Sequence, residues 1–146
     1  IAAKHHIEIL GNFSSFGMGG VSHPSQCYAL ELMAKGRVEQ VREAIPSFYG
    51  MQRRRYGEAF ENLGLRLFTG DGGFYHWCQL PDGLGAAELN ERLFVDGAAI
   101  LKGTDCDMRR LGDESALKNF CRFSFGPLPP ESFAEDIAIL AKALQG

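Results

Sequence analysis

Residues 119–126 read NFCRFSFG, and the period of this stretch decides the fold. Side chains alternate across a strand, so Cys121, Phe123 and Phe125 share one face while Phe120, Arg122 and Ser124 share the other. The first face is wholly apolar and needs a covering layer. The second is mixed, and it carries a guanidinium, a permanent charge with five donors in a planar fork. Arg122 is therefore either a surface charge on a half-buried strand or a fork awaiting a carboxylate, whose geometry it matches bidentately.

Around this strand the pattern is that of an α+β sandwich. "LRLFTG" (65–70) alternates Leu65 and Leu67 against Arg66 and Phe68, and "GDGG" turns it into "FYHWCQL" (74–80), which predicts a hairpin. "AAELNERLF" sets Leu89, Leu93 and Phe94 on one helical face, and "GAAILKG" is a short strand. "TDCDMRRLGDES" is a polar loop before the Arg122 strand. The segment from Pro127 then predicts a terminal helix. Glu131, Glu135 and Asp136 lie near its positive end, and Phe133, Ile137, Leu140 and Leu144 stack on one face. The order β-β-α-β-β-α predicts a split sheet, mainly antiparallel, with helices on one face.

Upstream, Val38, Val41, Ile45, Phe48, Gln52, Tyr56, Phe60 and Leu63 recur every three or four residues, a long amphipathic helix in which only Gln52 breaks the apolar stripe. Pro46 is expected to kink or split it, and Gly64 to close it. "QCYALELMAK" predicts another helix, capped by Ser25 and ended at Gly36. "GNFSSFGMGGVSHPSQ" (11–26) is dense in Gly and Ser and predicts an irregular loop; its glycines fit no phosphate-binding fingerprint. Residues 1–10 predict a short helix or a strand end.

Composition bounds the function. The 146 residues carry 45% hydrophobic and 23% charged side chains, which is ordinary globular usage. A net charge of -3 speaks against nucleic acid. The Arg53–Arg54–Arg55 run reads as the outer face of the long helix. No apolar run approaches the ~20 residues of a membrane span. The four cysteines have no metal-type spacing and read as reduced thiols of a cytoplasmic protein. The neighbours His5 and His6 would diverge on a helix, Asp105–Cys106–Asp107 reads as a turn, and Tyr75 and His76 read as core aromatics, so no metal site is expected.

Five stretches in order, "GVSHPSQCYALELM" (20–33), "YGMQRRRYGEAFENLGL" (49–65), "GDGGFYHWCQLP" (70–81), "LNERLFVDGAAILKGT" (89–104) and "CRFSFG" (121–126), give the chain a resemblance to the C-terminal part of fold type I pyridoxal-phosphate-dependent aminotransferases. The resemblance covers essentially the whole chain and rests on the ordered series. It implies that residues 1–36 end a large domain, that 37–63 form the connecting helix, and that 64–146 form the small domain. It implies that Arg122 binds the α-carboxylate of an amino acid or 2-oxo acid, and that Ser22 lies near the cofactor phosphate of a partner subunit. The intact parent would be a homodimer using pyridoxal 5'-phosphate. The resemblance also implies that the cofactor lysine falls upstream of Ile1, since none of Lys4, Lys35, Lys102, Lys118 or Lys142 has its context. No catalytic residue is assigned in this segment, and the segment alone is expected to be inactive. The alternative is a free-standing, non-catalytic α+β module that binds a small anion or a protein partner.

Overall fold

The computed structural model describes residues 3–20, 22–34 and 36–146. The chain divides into two compact units, one ending at Ala44 and the other beginning at Ile45.

In the first unit, α1 spans Lys4–Met18 and α2 spans His23–Met33. The Gly/Ser-rich stretch expected as a loop is thus helical as far as Met18, and Gly19 ends α1 in the left-handed conformation (φ 66°). Its glycines and serines lower helix propensity without forbidding the helix, and the apolar residues between them, Phe13 and Phe16, keep a helical spacing. The second helix starts earlier than predicted: Ser22, not Ser25, is its N-cap, with Pro24 in its first turn. Its side chain makes no capping hydrogen bond.

Helix α3 runs from Arg37 to Asn62 and continues through Pro46, so the predicted split does not occur. Its stripe is buried only towards the C-terminal end. Gln52, Tyr56 and Phe60 are fully buried, whereas Val41, Ile45 and Phe48 are exposed.

The second unit holds the sheet. Among the described residues there are four strands, β1 (Arg66–Leu67), β2 (Tyr75–Gln79), β3 (Leu101–Lys102) and β4 (Phe120–Ser124), in the order β1-β2-β4-β3, every pair antiparallel. Helix α4 (Ala86–Val95) lies between β2 and β3 in sequence, and α5 (Phe133–Gln145) follows β4. This is the predicted β-β-α-β-β-α order. The polar loop before β4 forms two tight helical turns, Gly103–Cys106 and Gly112–Glu114.

One sheet face is covered and the other is open. Cys78, Cys121 and Phe125 join Tyr56 and Phe60 of α3, Leu89 and Leu93 of α4, and Leu140 and Ala143 of α5 in a single apolar cluster. Burial of this area supplies the main driving force for the unit, at roughly 25 cal/mol per Å². Phe94, expected on the buried face of α4, is exposed instead. It lies about 100° around the helix from Leu93, outside the stripe that Ala86, Leu89 and Leu93 bury. Tyr56 donates a 2.6 Å hydrogen bond to Asp136, and Ser132 donates a 2.7 Å bond to the same carboxylate, which fastens α5 to α3. Burial and that carboxylate push the Tyr56 hydroxyl well above its ordinary pKa. Arg55, expected as an outer-face residue, instead donates to the Pro130 carbonyl at 2.9 Å and lies 3.8 Å over the Phe133 ring.

Candidate functional site

The open face follows from the register. Trp77 and Leu101 flank Arg122 on the neighbouring strands, Tyr75 pairs with Ser124, and Gln79 pairs with both Arg66 and Phe120. Because side chains alternate, Tyr75, Trp77 and Gln79 rise on the same face as Phe120, Arg122 and Ser124. The sequence placed Arg122 on a mixed face, and it sits there at the centre of the sheet, half-buried.

Aromatic rings share this face with Arg122. The Trp77 and Phe120 rings lie 5.9 Å apart and nearly parallel at 17°, and Phe68 meets Phe120 at 5.8 Å. The Tyr75 ring lies under the Arg122 guanidinium, 5.2 Å from Cζ to the ring centre, within cation–π range. Arg122 Nε is buried without a hydrogen-bond partner. Three other cations of this unit are satisfied: Arg92 by Glu88 at 2.6 Å, Lys102 by Asp105 at 3.7 Å, and Lys142 by Asp96 at 2.8 Å. Among the described residues no carboxylate pairs with Arg122, and desolvating a charge is costly unless it is paired.

The remaining candidates divide as follows. His76 is core: it is 2% exposed, its Nε2 faces the Arg53 carbonyl at 3.0 Å, and its Nδ1 faces the Thr69 hydroxyl at 2.7 Å. The imidazole therefore donates to the carbonyl and accepts from the hydroxyl, a neutral arrangement, and burial holds its pKa below the ordinary value. Tyr75, grouped with His76 in the sequence, is 43% exposed and belongs to the Arg122 face. Asp107 accepts hydrogen bonds from Ser115 Oγ at 2.5 Å and from the Arg109 amide at 2.9 Å, so it ties a loop. Among the described residues no group of three His, Cys, Asp or Glu side chains could hold a metal ion. None of the cysteines is disulfide-bonded; Cys78 and Cys121 are buried opposite each other on β2 and β4. Ser22 is exposed and belongs to the first unit. No helix among the described residues is long and apolar enough to cross a membrane.

Neither protein-family models nor curated proteins match this sequence. Solved structures do. The chain is similar to an α-aminoadipate aminotransferase from Thermus thermophilus, solved in complex with N-(5'-phosphopyridoxyl)-L-leucine, at a TM-score of 0.82 and 24% identity over 100% of this chain and 37% of that one. It is also similar to a multiple substrate aminotransferase from Thermococcus profundus, at a TM-score of 0.81 and 23% identity over 99% of this chain and 35% of that one. A kynurenine aminotransferase from Pyrococcus horikoshii matches at 27% identity and a TM-score of 0.63, over 75% of this chain and 27% of that one. The chain has the α+β fold of a segment of these aminotransferase structures. It spans 27–37% of the length of these three structures.

Proposed function

We propose that this chain is the C-terminal, substrate-carboxylate-binding part of a pyridoxal-phosphate-dependent aminotransferase, which moves an amino group between an amino acid and a 2-oxo acid. The observation that carries this reading is the half-buried Arg122 fork on the open face of the sheet, its Nε without a hydrogen-bond partner and no carboxylate paired with it among the described residues. Both substrates of such an enzyme carry a carboxylate next to the reacting carbon. A bidentate arginine fixes that carbon in two dimensions, and pre-paid orientation is a large part of what binding contributes to rate. Within the proposal, residues 37–63 are the connecting helix, 64–146 the small domain and 1–36 the end of the large one. The parent is a homodimer, with Ser22 near the cofactor phosphate of a partner subunit.

The cofactor is a separate matter. Pyridoxal phosphate would supply the electron sink and would need an imine lysine and a partner for its ring nitrogen. Among the described residues of the second unit the lysines do not fit that need: Lys102 and Lys142 are paired with Asp105 and Asp96, and Lys118 stands in the turn before β4. Within the proposal the second unit serves the carboxylate of the substrate, and the imine lysine lies elsewhere in the parent. Transaminase activity is thus assigned to the parent and not to the segment alone.

The test is Arg122→Ala in the enzyme that carries this segment. KM for every amino acid substrate should rise by about ten- to a hundredfold, the equivalent of one charge-assisted hydrogen bond of about 1.5–3 kcal/mol. Unchanged KM values would remove Arg122 from this role.

A further inference from the structure

The Arg122 guanidinium is held on one side only. Directly across the strand, the Trp77 indole is already stacked on Phe120, and on the opposite neighbour Leu101 offers no acceptor. Tyr75 is the diagonal neighbour on the same face, a position from which long and aromatic side chains reach each other across a sheet. Its ring lies against the guanidinium at 5.2 Å. Of the three guanidinium nitrogens, only Nε is buried without a partner; the two terminal nitrogens keep contact with solvent. A carboxylate can therefore meet the fork only end-on, through the terminal pair, while Nε faces protein.

We propose that Tyr75 is the positioning residue of this fork: its ring face holds the Arg122 guanidinium so that the two terminal nitrogens are presented end-on to a carboxylate. The inference deepens the reading of Arg122 as the carboxylate binder and rests on that reading for its functional meaning. The physical cause is twofold. The negative ring face stabilises the cation, and the contact restricts rotation about the last bonds of a long side chain that otherwise loses rotamer freedom on being ordered. The hydroxyl plays no part, so a phenylalanine should serve as well.

The experiment is amide and side-chain hydrogen exchange by nitrogen-15 NMR on the full 146-residue chain, read at the Arg122 Nε proton. Tyr75→Leu should raise that exchange rate by about two- to fivefold, the factor an exposed cation–π contact corresponds to. Tyr75→Phe should leave it at the wild-type rate, and Tyr75→Met serves as a second ring-deleting variant. The Phe123 backbone amide reports whether β4 itself has loosened. An unchanged rate in both ring-deleting variants overturns the proposal. So does an effect in Tyr75→Phe as large as that in Tyr75→Leu, and so does a matching rise at Phe123. In the parent enzyme, Tyr75→Leu should raise KM by the same factor with kcat unchanged, and Tyr75→Phe should restore it. If Arg122→Ala leaves KM untouched while Tyr75→Leu still frees the Nε proton, the carboxylate reading falls and the positioning role stands.

Discussion

On α3 the Gln52 side chain is fully buried, and neither its amide oxygen nor its nitrogen has a hydrogen-bond partner. An unsatisfied buried amide costs about 1–3 kcal/mol. Gln52→Met keeps the shape and removes both orphan groups, so the folded state should gain stability of about that size, seen as a higher urea midpoint. A lower midpoint would show that water reaches the amide in solution. His76 has a different signature. Burial depresses its folded pKa, so in the unfolded chain it takes up a proton first as pH falls. Its contribution is complete above an unfolded value of about 6.5 and is lost as pH drops through the lower folded value. Stability should therefore begin to fall below about pH 6.5, and His76→Gln should abolish that part of the slope. The Asp107 carboxylate, held low mainly by Ser115, acts only at more acid pH, below its ordinary 3.8, so the two effects are separable.

At the scale of elements, the junction of β3 with the turn that follows it depends on one missing side chain. A Cβ on Gly103 would stand 2.3 Å from the Leu117 carbonyl oxygen, 2.7 Å from that of Phe120 and 2.9 Å from Phe120 Cβ. Two of these are backbone atoms that cannot swing aside. Gly103→Ala should destabilise the protein by roughly 3 kcal/mol, the upper end of overpacking costs, and it should loosen β3 from β4. A urea midpoint within error of the wild type would refute the close approach. Most elements are legible in the amino-acid order alone. Alternation gave the two faces of β4 and the helical stripes gave α4 and α5, because each is a local periodicity imposed by one covered face. The exceptions have local causes too. Phe13 and Phe16 keep helical spacing through a glycine-rich stretch that reads as loop, and α3 runs on through Pro46. Phe94 looks like a core residue because adjacent apolar residues cannot be assigned to a face until the helix phase is known.

Across the whole molecule, apolar burial is uneven between the two units. The clustered core residues all belong to the second unit, and α2 buries none of its residues. In hydrogen exchange, amides of α1 and α2 should exchange well before those of β2, β4 and the Tyr56–Phe60 turn of α3, since opening them exposes little apolar area. Protection in α1 equal to that in β4 would contradict this. The sequence by itself determined the order of elements in the second unit, the covered and open faces of the central strand, and the position of one arginine on the open face. All three follow from side-chain periods of two and 3.6, which are properties of the local backbone. Only the tertiary structure decided what that arginine meets. Strand register, a non-local quantity, brought Tyr75 under its guanidinium, turned Trp77 to Phe120, and left the Arg122 fork without a counter-charge among the described residues.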